Sequence, residues 1–388
     1  MTGVSAPLEG IRVVDFGQYI AVPGGTQTLA DLGADVVKVE PPAGDQARSI
    51  GAYGEAIMRG YNRGKRAVVL DLRDPAGRAT ALRLAASADV VTQNLRPGVL
   101  AGFGLGPADV RAVNPGIVYL TVSGFGLDGP SRARPGLDIA AQAESGIMTV
   151  TGEGGGEPQR VGFPVVDHAT SLVVAQAVLA ALLRRHRTGE GDEIEVSLLD
   201  VAVHMQMVNW GEYGITGAEP VRKGNGQPTA APAADVVATS DGGIVISAYT
   251  QEKFAALCEL IGRPEMAADP RFADNPARVA NRPALLAALS EAFGRLTSDR
   301  AVAALAGAGI VAGAVRGYGQ VRNAPDVVAS GVFVTATAAD GTGYEIPGLP
   351  YRSARYGRPA ANDHVPALGE HHDAVLAELG TPEPGAPA

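Results

Sequence analysis

The residue whose type and setting most clearly suit chemistry is Asp167. It sits in V-G-F-P-V-V-D-H-A-T-S, after apolar Val165 and Val166 and before the long apolar run L-V-V-A-Q-A-V-L-A-A-L-L-R-R-H. A carboxylate in that place has two readings. It is a favoured N-cap for the helix that follows, worth about 1 kcal/mol, or it is a nucleophile. The two are compatible, because a helix N-terminus favours the ionised form that a nucleophile needs.

A carboxylate is a poor nucleophile in water, but it attacks an activated acyl group once water is excluded. Attack on a thioester gives a mixed anhydride that keeps the acyl group activated. The returning thiolate can then leave a thioester on the protein, a way to move coenzyme A between acids without hydrolysis. The glycines from Gly152 to Gly156 and Gly162 would let backbone N–H groups approach a developing oxyanion.

Other motifs fail on context. Gly124, Gly126 and Gly129 spell G-x-G-x-x-G after a strand, but Pro130 and a loop follow where a dinucleotide fold needs a helix. The run from Gly60 to Arg66 is one residue short of a P-loop and lacks the Ser or Thr that binds magnesium. No G-x-S-x-G elbow occurs. His168, His186 and His204 lack zinc spacing, and His371-His372 read as a solvated face.

The elements that must position Asp167 alternate. Strands are expected at 11–16, 34–40, 66–72, 89–93 and 116–122, with helices at 24–32, 74–88 and 107–113 between them. This order predicts an α/β fold, a mostly parallel sheet covered on both faces. A helix is expected over 138–148, another over 169–187, a strand over 192–199 and a helix over 200–213. Composition then shifts to Gly, Pro and Ala. Beyond it, D-V-V-A-T-S-D-G-G-I-V-I-S-A-Y reads as a hairpin, followed by helices. We therefore expect a large domain over 1–225 and 326–388 and a smaller α+β domain over 226–325.

A chain of 388 residues suits two domains. A net charge of -9 argues against nucleic acid as the main partner, while leaving room for a local basic pocket for one phosphorylated small molecule. The lone Cys258 excludes an intramolecular disulfide and suits a reducing cytoplasm, and its apolar helical setting reads as a core thiol. The start lacks a signal-peptide pattern. No apolar run is expected to reach the ~20 residues that span a bilayer, so no membrane partner is expected.

With these pieces in place, the chain resembles the class III coenzyme A transferases, the CaiB/BaiF family, over nearly its whole length. The resemblance runs from PLEGIRVVDF and LADLGADVVKVEPPAGD through NRGKRAVVLDL, ADVVTQNLRPGVL and NPGIVYLTVSGFGLDGP. It continues through GLDIAAQAESGIMTVTGE, VGFPVVDHATS, RTGEGDEIEVSLLD and DPRFADNPARVANR to LGEHHDAVLAELG. It implies a Rossmann-like large domain, a small domain, two chains interlocked like links, and a transferase acting on acyl-CoA and carboxylic acids with no permanently bound cofactor. Asp167 matches the family's nucleophilic aspartate.

For coenzyme A contacts, the resemblance points to Gln18, Tyr19, Ile20 and Ala21 as the adenine-side loop. It also points to the basic segment with Arg63, Lys65 and Arg66, and to the turn Asn94, Leu95, Arg96. The pattern departs at Pro41 and Gly102, where arginines are common. Racemases of 2-methylacyl-CoA belong to the same family and use a histidine in the segment matching Gly136-Leu137-Asp138. Leu137 cannot transfer a proton, so transferase is favoured over racemase, with a non-catalytic acyl-CoA binder as a further alternative. Asp138 is expected to cap a helix or accept a hydrogen bond near the substrate. The loop Gly224 to Pro228 is expected to act as a lid that sets specificity.

Overall fold

The computed structural model describes residues 6–226, 235–359 and 363–380. The chain divides into two compact units. One comprises Met1–Ile147, Val161–Glu212 and Ser330–Ala388, the other Met148–Arg160 and Tyr213–Ala329. This division groups the glycine-rich loop 148–160 and the segment from Tyr213 with the smaller unit.

The larger unit is built on six parallel strands: β1 (Arg12–Asp15), β2 (Asp35–Glu40), β3 (Arg66–Val69), β4 (Val90–Gln93), β5 (Val118–Ser123) and β6 (Asp192–Ser197). Their order is β3-β2-β1-β4-β5-β6. Valines dominate β1, β2, β4 and β5, and those strands are buried almost throughout, as a sheet covered on both faces requires. The strand order reverses direction between β1 and β4. At such a switch point the two following loops part and leave a crevice at the carboxyl ends of the strands.

The helices of the chain up to Thr216 are α1 (Ala21–Asp31), α2 (Gly51–Tyr61), α3 (Pro75–Ala86), α4 (Val99–Gly102), α5 (Pro107–Val113), α6 (Asp138–Glu144), α7 (Ile147–Val150), α8 (Val165–Thr188), α9 (Leu198–His204) and α10 (Met207–Thr216). The tightest helix pair is α1 against α8. A Cβ on Gly25 would lie 2.4 Å from Val174 Cγ1, and one on Gly24 would lie 2.7 Å from Ser171 Cβ. Glycine here permits close approach of the two helices.

Two expectations need correction, and one helix was missed. Helix α1 starts at Ala21 rather than Gly24, straight after a sharp turn at Tyr19. Helix α2 was not legible, because Gly51, Gly54 and Gly60 dilute its pattern. Its Ile57 and Met58 bury against Ile20 and Ala47, and Gly54 is required where a Cβ would lie 1.8 Å from the Ala47 carbonyl oxygen. Helix α8 runs 24 residues and is by length and composition apolar enough to cross a membrane, although no such run was expected. Its Val166, Val174 and Val178 are fully buried in the core beneath the sheet, the setting of a core helix.

In the smaller unit, β7 (Asp235–Ala238), β8 (Gly243–Ser247) and β9 (Val311–Ala314) form an antiparallel sheet. It packs on helices through Phe254, Leu257, Phe272 and Leu289, with Cys258 buried among them. The chain then returns to the larger unit as a hairpin, β10 (Phe333–Thr337) and β11 (Gly343–Pro347). The final helix, His372–Glu378, buries Val375 in the core shared with Val14 and Val37.

Candidate active site

The crevice at the switch point is a cleft of about 510 Å³. The loop after β1 supplies Gln18, Tyr19 and Ala21, and the loop after β4 supplies Asn94, Leu95 and Arg96. Ser123 and Gly124 close it from the end of β5, Arg134 and Leu137 from the loop before α6. Asp167 reaches it from the first turn of α8. A second, apolar recess of about 200 Å³ shares Gln18 and Leu95 with the cleft. Val39, Pro41, Leu70 and Phe103 line it, and Arg73 lies at its rim.

Asp167 is the third residue of α8, not its cap. The N-cap is Pro164, which offers no side-chain acceptor. The cap comes instead from α6. Asp138 Oδ2 accepts hydrogen bonds from the backbone N–H of Val166 (2.8 Å) and of Asp167 (3.2 Å). Asp138 Oδ1 accepts from Gln142, whose Oε1 accepts from the Val161 N–H at 2.9 Å. Asp138 therefore caps a helix, though not the one it begins.

This arrangement decides the electrostatics of Asp167. Burial, and then the neighbouring Asp138 carboxylate, push its carboxyl up to about 7. Partial burial strips water from it, and a raised pKa makes the carboxylate more basic once ionised. His168 is exposed, and its ring stands 6.4 Å from that of Tyr61.

The basic segment is not brought to the cleft. Lys65 is fully buried, and its Nζ donates to Asp15 Oδ2 (2.9 Å), Pro23 O, Thr26 Oγ1 and Asn62 Oδ1. Arg63 is buried against Asp31 at 3.1 Å. Arg66 turns toward Asp35, at the start of β2, and Glu378. These cations neutralise the protein's own carboxylates. Ile20 likewise points away, into the cluster with Ile57 and Met58. Of the expected basic contacts, Arg96 alone lines the cleft. Arg134 was not foreseen there, nor were Gln46 and Ser123. The cue for Arg134 was its place just ahead of the Gly136-Leu137-Asp138 segment; it pairs with Glu144 at 2.6 Å and stacks over Phe125.

Gly152 to Gly156 belong to the smaller unit, where Arg222 donates to the carbonyl oxygens of Thr149 and Gly156. Gly224 donates to the Gly152 carbonyl at 3.0 Å. Gln227 and Pro228 of the expected lid lie outside the described residues. Among the described residues, no group of three potential metal ligands comes together.

Known proteins share this sequence and fold. The pattern of CoA-transferase family III matches residues 8–372. A succinate–glutarate CoA-transferase from Agrobacterium fabrum is 37% identical, over 97% of this chain and 96% of that protein. An acetyl-CoA:oxalate CoA-transferase from Acetobacter aceti is 35% identical, over 97% of each. The crystal structure of a CaiB/BaiF family protein from Brucella suis superposes with a TM-score of 0.88 at 37% identity, covering 97% of this chain and 100% of that one. With this length of match and a cleft of this construction, the chain belongs to CoA-transferase family III, the CaiB/BaiF enzymes that transfer coenzyme A groups.

Proposed function

We propose that the enzyme moves coenzyme A from an acyl-CoA to a carboxylic acid through covalent intermediates on Asp167. One observation carries this reading: a half-buried carboxylate with no lysine or arginine beside it among the described residues opens onto the switch-point cleft from a helix N-terminus. Asp167 attacks the thioester carbonyl, and the coenzyme A thiolate leaves, giving a mixed anhydride. The thiolate then attacks the Asp167 carbonyl and releases the donor acid, leaving an aspartyl–CoA thioester. The acceptor carboxylate attacks that thioester and expels the coenzyme A thiolate, forming a second anhydride. The thiolate returns to the acceptor's acyl carbon, and the Asp167 carboxylate is restored.

The two cavities support a place for the coenzyme A half of the substrate. The apolar recess beside Phe103 suits a planar base, and Arg96, which lines the cleft, suits a diphosphate. The relatives named for succinate, glutarate and oxalate support short dicarboxylic acids as the acid partners. Leu137 lines the cleft and carries no transferable proton, which favours transfer over racemisation.

We also propose a homodimer. Met205, Met207, Val208 and Trp210, at the end of α9 and on α10, are exposed together, an apolar face of the kind that a second copy covers.

The test is to incubate the protein with succinyl-CoA, trap with borohydride or hydroxylamine, and map the modified residue by mass spectrometry. A label on Asp167, absent from Asp167→Asn, is expected, with transfer falling by about a thousandfold or more in that variant. A label on another residue, or transfer at wild-type rate in Asp167→Asn, overturns the assignment.

A further inference from the structure

The turn that presents Gln18 and Tyr19 to the cleft is held by side chains, not by the sheet. The Gly17 N–H donates to Asp15 Oδ1 at 2.7 Å, and the Gly17 carbonyl accepts from Lys38 Nζ at 2.7 Å. The Gln18 N–H donates to Asn94 Oδ1 at 2.8 Å, and its carbonyl accepts from Asn94 Nδ2 at 2.9 Å. The Tyr19 N–H donates to Asp45 Oδ1 at 3.3 Å. Five consecutive backbone groups are thus tied by four side chains.

The turn needs such restraint. Tyr19 has φ 61°, the one positive φ at a non-glycine among the described residues. A bulky residue rests there only when its surroundings over-determine it, and such strain gathers at functional sites.

Asn94 lines the cleft itself. Lys38 and Asp45 do not: both are buried, with side chains 0% and 1% exposed, and they pair at 2.9 Å behind the turn. Asp45 in turn caps the short helix Gln46–Ser49 through the Ala47 N–H, and its own N–H donates to Glu40. A buried pair of this kind is a poor source of net stability compared with apolar packing. Its geometry does something else: it grips Gly17 with one partner and Tyr19 with the other, on either side of Gln18.

We propose that the buried Lys38–Asp45 pair is a positioning element of the transfer site, holding Gly17–Tyr19 in the left-handed turn that aims Gln18 and Tyr19 at the substrate. It rests on the reading of the cleft as the coenzyme A site. Neither residue touches substrate; each acts through the backbone of the turn.

The test is a cycle between Asp45→Asn and Tyr19→Gly, because glycine adopts φ near +60° without strain and so needs no clamp. Asp45→Asn in the otherwise native chain should lower kcat/KM for acyl-CoA by about tenfold or more, since small misplacements of site groups are costly. In the Tyr19→Gly background, the same change should cost about threefold or less. Backbone amide exchange over residues 17–20 should quicken in Asp45→Asn and less so in the double variant.

Should Asp45→Asn fold poorly, Lys38→Met combined with Asp45→Asn removes the pair without stranding a charge, and the same loss is expected. Equal losses in both backgrounds, or a folded variant whose kcat, KM and amide exchange match wild type, overturns the proposal. If wild type forms no adduct at Asp167, the reading of the cleft falls, while the amide-exchange comparison still decides whether the pair holds the turn.

Discussion

Two aspartates of the larger unit, Asp15 fully buried and Asp167 half-buried, end up in opposite states. Burial pushes Asp15 upward, but Lys65, then Lys38, and the Thr26 hydroxyl outweigh it and hold its carboxyl below the usual range. Asp167 feels burial and another carboxylate, Asp138, with no lysine or arginine in compensation, and rises to about 7. Asp15 ends the interior strand β1, and Asp167 lies in the first turn of α8. Burial alone does not make a carboxylate reactive; the sign of its neighbours does. Asp15 stays ionised and its charge is held by Lys65 and Lys38, whereas Asp167, once ionised, faces the cleft with no lysine or arginine beside it among the described residues.

The sharpest way to break this contrast is Asp15→Asn. It leaves Lys65 and Lys38 buried with one counter-charge fewer, and we expect a loss of about 3–5 kcal/mol at neutral pH by urea unfolding. The sign follows from the depressed carboxyl: its contribution is present above the unfolded pKa of about 4 and is lost as pH falls through the lower folded value. The difference between Asp15→Asn and wild type should therefore shrink in acid. A variant as stable as wild type at pH 7 would show that the lysines need no partner.

Activity should report the other aspartate. With its carboxyl at about 7, kcat/KM for acyl-CoA should fall about fivefold from pH 7 to pH 6 and about tenfold for each unit below that, and level off above pH 8. A profile flat down to pH 5 would place the essential group elsewhere.

The stability of Asp167→Asn should run opposite to that of Asp15→Asn. Because the folded pKa lies above the unfolded one, the native state of wild type loses stability as pH rises from about 4 through 7. Asn carries no such cost. The variant should gain about 1–2 kcal/mol over wild type at pH 8, discounted for partial exposure, and nothing at pH 4. Thermal unfolding at the two pH values decides it.

A smaller effect sharpens the same contrast among the cations. Arg96→Ala should raise KM for acyl-CoA about tenfold. Arg66→Ala, which removes a partner of Asp35 and Glu378, should leave KM unchanged within about twofold. The reverse pattern would mean that the basic segment, not the turn after β4, meets the phosphates.

Much of the fold was legible. Runs such as Val36-Val37 and Val90-Val91 read as buried strands, and Asp74-Pro75 marked a helix start that the Asp74 cap on Ala76 bears out. Asp167 stood out as the residue to watch. The charged segment around Lys65 was misleading because a cation in sequence looks the same whether it meets a phosphate or an internal carboxylate. Only the fold sets Asp15 2.9 Å from Lys65.

What the sequence determined by itself was local: which stretches are apolar enough to be buried, where Pro and Gly interrupt them, and that one aspartate opens a long apolar helix. The tertiary structure decided everything that depends on distant partners. It supplied the cap of α8 from Asp138, 29 residues away from the Asp167 N–H it holds, and the clamp on the turn, with Asn94 on Gln18 and Asp45 on Tyr19. The physical reason is range. Backbone preference and hydrophobic period act over a few residues, whereas the charge state of a buried carboxylate is set by whichever groups the folded chain brings beside it.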